Sequence, residues 1–154
     1  MSLRQVLVLL PLSVLLAGCS DPTGLLDKGT PTDAYCAALT ADRQQISDMV
    51  SSGAPDALIT NLPLLRSLSG QAPADVKTQW ATFVSAIDGL RKALQDAGLK
   101  PSDFSNGVGP ATLDPKKKDD IVAAASRLAS ADTTAATAAI EQEARDVCRV
   151  NLGM

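Results

Sequence analysis

The apolar positions of this chain recur mostly at intervals of three, four and seven, the spacing that lines up one face of an α-helix. The first such series is Tyr35, Leu39, Ile46, Met49 and Val50. It predicts a helix opened by Thr30 as cap, with Pro31 in the first helical position and Asp33 where a capping box places its acid. Gly53, which enters the left-handed region at little cost, predicts its end. A second stripe, Leu58, Ile59, Leu62, Leu65 and Leu68, follows Pro55 and Asp56. Pro63 falls inside it, removes a backbone donor and crowds the carbonyl of Ile59, so this helix is expected to kink or to restart from Asn61. Such a bend either wraps a core or forms a hinge or pocket wall.

The longest stripe lies between Pro73 and Gly98 and comprises Val76, Trp80, Phe83, Val84, Ile87, Leu90, Leu94 and Ala97. Leu99, just past Gly98, is placed for the apolar contact that accompanies a left-handed helix stop. Trp80 reads as a core residue with one polar nitrogen to place, against the alternative of ligand stacking. A fourth helix is expected after the cap Asp114, with Ile121, Val122, Ala125, Leu128 and Ala129 facing inward. A fifth should run from Asp132 to about Arg149, burying Ala136, Ile140, Ala144, Val147 and Cys148. The aromatic share is only 3% and β-branched residues form no alternating runs, so the expected fold is all-α: a small bundle of four to five helices whose small residues allow close approach.

Two stretches do not fit a packed bundle. Lys100 to Leu113 is rich in Gly, Pro, Ser and Asn and is long for a connection between helices. It is a binding element, a mobile cover or slack, and Pro101, Phe104, Asn106 and Pro110 are its candidate interaction residues. Lys116, Lys117 and Lys118 place three positive charges at the start of a helix, against its dipole, with Asp119 and Asp120 offsetting them in part. They read as a solvated helix end or as a contact for anionic lipid headgroups.

Ahead of the first helix, an apolar run from Val6 to Leu16 follows the single charge of Arg4 and is broken by Pro11. A bilayer span needs roughly 18 to 20 such residues, so the run is too short to cross and has the order of a secretion signal. It closes on Leu16-Ala17-Gly18-Cys19, which resembles the bacterial lipobox at every position. The resemblance implies cleavage between Gly18 and Cys19, a diacylglycerol thioether on Cys19 and a place on the outer-facing side of the cell membrane. No paired Arg precedes the run, which favours general secretion over the twin-Arg route. The chain then divides into a signal peptide at 1–18, a lipidated Cys and tether at 19–30, and one domain at 31–154. A flexible tether of this length spans on the order of 20 Å. Leu25 and Leu26 within it pack loosely against the domain or touch the membrane interface.

Loss of the signal removes Arg4 from 14 basic residues, so 13 stand against 17 acidic ones, a formal balance of −4. Phosphate binding needs a basic face, so nucleic acid is excluded as a partner. Of three cysteines, Cys19 is assigned to lipid. Cys36 and Cys148 flank the domain of a chain bound for an oxidising compartment, where such thiols pair, closing first helix to last. Metal binding competes poorly, since the chain has no His and two thiolates do not complete a zinc site. Redox work lacks a Cys-x-x-Cys arrangement.

The same lack of His removes imidazole bases and Ser-His or Cys-His nucleophiles. Asp119 and Asp120, like Glu141 and Glu143, diverge on a helix, and calcium loops, phosphate loops and nucleophile elbows are missing. No cofactor is expected and the protein reads as non-catalytic. The segment from Pro31 to Cys148, with its Tyr35-Cys36-Ala37-Ala38-Leu39 start and Ala-rich helices bracketed by cysteines, resembles small helical lipoproteins of Actinobacteria. That resemblance implies address and fold and carries no site residues across. Two readings follow: an interaction module for another envelope protein, or a carrier for a lipid or other small apolar ligand. Apolar volume between the second and third helices and the Phe104 loop would favour the carrier, and a filled core the module. The address is tested directly: Cys19→Ala should release the protein from membranes, and retention of that variant through salt and carbonate washes would contradict lipid anchoring.

Overall fold

In the computed structural model, which describes residues 29–104 and 110–154, the domain is all helical. The described residues form α1 (Pro31–Ser51), α2 (Pro55–Thr60), α3 (Leu62–Gln71), α4 (Lys77–Ala97), α5 (Pro115–Leu128) and α6 (Ala131–Asp146). A 3-10 turn at Pro101–Phe104 follows α4 and packs on α2. The lipobox, Cys19, Leu25, Leu26 and Asn106 lie outside the described residues, as does the side chain of Phe104.

Local chemistry sets the helix ends. Thr30 and Asp33 form the expected capping box: the Asp33 amide donates to the Thr30 hydroxyl at 3.2 Å and the Thr30 amide donates to the Asp33 carboxylate at 2.7 Å. The second predicted helix divides at Asn61, which ends α2 and starts α3, raising the helix count to six. The break puts Pro63 in the first turn of α3, where its missing N–H costs nothing. Helix α4 begins at Lys77 and not near Pro73, because Pro73 to Val76 close a separate turn with Val76 buried. At its far end Gly98 is left-handed, with φ 76°, and the amides of Gly98 and Leu99 donate to Gln95 and Leu94. Leu99 packs against the core as this kind of stop requires.

Helix α4 is the spine of the bundle. It packs against α2 and α3 on one side and against α5 and α6 on the other, while α1 covers α2 and α3. The Arg66 and Arg91 guanidinium groups both meet Asp88. The Arg91 hydrogen bond, more than the charge of Arg66, holds that carboxyl below the usual range. On a surface this open such pairs add little stability. Between α5 and α6 the buried Thr133 hydroxyl donates to the carbonyl of Arg127 at 2.9 Å and fixes the corner.

Three positions expected inside are outside. Val122 is 50% exposed and Ala129 is exposed, because α5 buries a narrow face of Ile121 and Ala124, with Ala125 and Leu128 partly covered. Val122 stands one residue, about 100°, around the helix from Ile121 and so leaves that face. Val147 is 47% exposed because α6 stops at Asp146, before the residue could complete the stripe. Cys148 therefore lies just beyond the last helix. Arg149 turns left-handed at φ 59°, and Val150 and Leu152 enter the core instead.

The largest core side chains meet in one hydrogen bond. Trp80 Nε1–H donates to the Tyr35 hydroxyl at 2.8 Å, and both residues are fully buried. Burial, the dominant cause, pushes the Tyr35 phenol up to about 12 from an ordinary 10.0, although the Trp80 bond pulls the other way. The unfolded chain ionises this group near 10, so its contribution to stability is intact below that pH and is lost as pH rises through the folded value. Tyr35 is the sole tyrosine. Phenolate absorbance should therefore titrate near 12 in the native protein and near 10 in urea, and native ionisation near 10 with the fold intact would contradict the burial. Tyr35→Phe should cost about 1–3 kcal/mol in urea unfolding, because the Trp80 N–H is left without a partner.

Candidate binding groove

Cys36 and Cys148 are bonded, their Cα atoms 4.9 Å apart. The bond joins the second turn of α1 to the residue two places past α6. It consumes both thiols, so neither is free as a metal ligand. Around the same end Glu143 is pushed above the usual carboxyl range, first by burial and then by the charges of Asp75 and Asp146. Among the described residues no three His, Cys, Asp or Glu side chains gather where they could hold a metal ion, and no helix is long and apolar enough to cross a membrane.

The candidate loop residues do not converge. Pro101 is partly buried where the 3-10 turn meets α2, Pro110 is exposed, and Leu113 packs at the edge of the core. Lys116, Lys117 and Lys118 are all exposed, with Lys116 paired to Asp120 at 3.1 Å.

An apolar site opens elsewhere, at the other end of α1. After Ser51 the chain must leave the helix: the Ser52 hydroxyl donates to the Met49 carbonyl at 2.7 Å, Gly53 takes φ 59°, and the Ala54 amide donates to the Ser52 oxygen. This turn carries α2 away from α1 and leaves a groove of about 340 Å³. Met49 and Val50 line it from α1, Gly53 and Ala54 from the turn, and Leu58 from α2. Phe83 of α4, Leu128 at the end of α5, Thr137 of α6 and Met154 complete it.

The chemistry of this lining is narrow. No lining side chain carries a charge, and Thr137 supplies the one polar side chain. Its hydroxyl donates to the carbonyl of Thr134 at 2.9 Å, so its proton is already used within α6. The Gly53 and Ala54 amides are committed to the turn. An occupant would gain from burial of apolar surface and would meet no demand for a polar partner. Met49 and Met154, with flexible thioethers, can adapt to its shape. Three other clefts, of about 300, 340 and 370 Å³, follow α4 beside α5 and α6. Their size is similar, but each includes charged side chains such as Lys92, Arg127 or Asp132, so lining and not volume singles out the groove.

Apolar volume between the second and third predicted helices and the Phe104 loop would favour a carrier; the groove uses those two helices, through Leu58 and Phe83, but no described residue of the loop lines it. Met154 was missed because a helix was expected to run through Val147 to Arg149. The signal was present in the alternation of Val150, Leu152 and Met154, which marks extended backbone. No family model matches the chain, and neither a curated protein nor a solved structure is similar to it.

The bond closes a segment of 112 residues. Replacing both cysteines, Cys36→Ser with Cys148→Ser, should cost about 2–5 kcal/mol in urea unfolding while leaving helix content unchanged. A loss under about 1 kcal/mol would show that the closure does not constrain the unfolded chain.

Proposed function

We propose that this protein is a non-catalytic binding protein of the cell envelope, held to the outer-facing side of the membrane by lipid on Cys19, and that its groove takes a small apolar ligand. The observation that carries the reading is the groove itself: about 340 Å³ with no charged side chain in its lining. That volume falls within the range of small-molecule sites, and the lining suits an acyl chain or a similar neutral body. The absence of His and the divergence of the acidic pairs support binding over turnover.

A second reading has support from a separate surface. Ser102, Asp103, Pro110, Ala111 and Thr112 stand exposed on the connection from α4 to α5, as an interaction module for an envelope protein requires. The two surfaces share no residue, so they can be tested apart.

Native mass spectrometry of protein taken from the envelope should find a co-purified apolar small molecule. Ala54→Trp, which fills the groove from the exposed turn, should lose that species at least roughly tenfold. An identical bound species in the variant, or none in either protein, would overturn the ligand reading. Partners crosslinked equally to wild type and to a variant with Pro101 to Pro110 replaced by Gly and Ser would overturn the loop reading.

A further inference from the structure

The segment after α6 is placed at two points. Cys148 is bonded to Cys36 near the start of α1, and Met154 lines the groove beside Met49 and Val50 at the end of α1. Between those points the segment turns left-handed at Arg149, φ 59°, and again at Gly153, φ 71°, and packs on the core between the two turns. Its burial alternates accordingly: Val150 and Leu152 are buried, Asn151 and Gly153 are exposed, and Met154 is partly buried.

What holds it is unequal along its length. The Val150 amide donates to the Ala144 carbonyl at 2.8 Å. Beyond that point the Gly153 amide donates to Asn151 within the segment, and the amides of Asn151, Leu152 and Met154 donate to no other described residue. Side chains alone attach this part, chiefly fully buried Leu152. Gly153, with φ 71°, lies between that anchor and Met154 and provides a backbone joint. Segments with few backbone hydrogen bonds and few anchors open at the lowest free energy in a fold.

We propose that residues 151–154 are the movable wall of the groove, a strap held at Val150, latched by Leu152, and carrying Met154 as the part that covers the bound ligand. The inference rests on the groove being the binding site. Opening the strap would widen the groove without disturbing any helix, since the disulfide lies ahead of the moving part. It also gives the ligand an entry route that needs no break in α1 to α6.

The test uses lipidated protein in lipid nanodiscs, hydrogen exchange read by mass spectrometry, and a diazirine-bearing acyl chain as photoprobe. Amides of residues 151–154 should exchange at least roughly tenfold faster than those in the middle of α6. Light should place probe on groove residues such as Leu58 and Thr137. Leu152→Ala should speed both strap exchange and probe labelling severalfold. Met154→Ala, which leaves the core side chain in place, should speed labelling even where the first variant folds poorly. Strap amides as protected as α6, or labelling of the groove at the same rate in wild type and Met154→Ala, would overturn the strap and leave the groove standing. Fast strap exchange with no probe on groove residues in any variant would overturn the groove reading and the strap with it.

Discussion

The closure at one end of the bundle, where Tyr35 and Cys36 stand side by side, governs the rest of this fold. Tyr35 receives the Trp80 indole hydrogen bond and Cys36 is bonded to Cys148, so two neighbours on α1 tie down α4 and the end of α6. Most other packing is between helices close in sequence: α3 with α4, α4 with α5, α1 with α2 and α3. Such contacts form at small entropic cost, whereas bringing α1 to the far end of the chain requires closing a long loop. A domain with few aromatic side chains has limited apolar area with which to offset that cost, and the covalent bond removes it from the folding balance.

The opposite end of α1 has no equivalent tie. There the chain turns through Ser52, Gly53 and Ala54, the helices diverge, and the gap is lined by side chains that adapt in shape, two of them methionines. One helix thus connects a rigid, cross-linked end to an open apolar one. The segment from Cys148 to Met154 starts at the bonded end and gives Met154 to the groove, and its backbone hydrogen bonds to the described bundle end at Val150. Rigidity at the bond keeps the core together where the chain is otherwise free to separate, which lets the other end of α1 carry a groove without loss of the fold.

Much of the helix pattern was legible in the sequence because it depends on local chemistry. Thr30 and Asp33, Pro63 after Asn61, Gly98 with Leu99, and Asp114 each act on backbone groups within a turn of themselves, and each does so in the structure. The disulfide was legible for another reason: with Cys19 set aside, only one pair remained. What failed depended on packing at a distance. Val122 has the right character for a core position but faces water, since which side of α5 meets α4 is decided by both helices. Val147 failed because the left-handed turn at Arg149 has no glycine to announce it. The Tyr35 to Trp80 bond links residues 45 apart, and no spacing rule reaches that far. The groove is a property of divergence between helices, so its lining comes from five of them and from none of the described residues of the irregular loop that composition had marked.

A site that offers only apolar surface has a defined limit on what it can distinguish. Burial contributes roughly 25 cal/mol per Å² whatever molecule supplies the area, so affinity grows with size while discrimination between similar apolar bodies stays small. Strong rejection of a near relative needs a buried polar group that the wrong ligand leaves unpaired. The groove's side chains and its turn supply none, since the Thr137 hydroxyl proton and the turn amides are already bonded. Selection would then come from what is concentrated nearby, and the proposed anchor on Cys19 would supply that condition by holding the domain within a short tether of the bilayer, where apolar molecules accumulate. On this reading the lipobox and the groove are parts of one device: the address narrows the choice of ligand that the groove itself does not make.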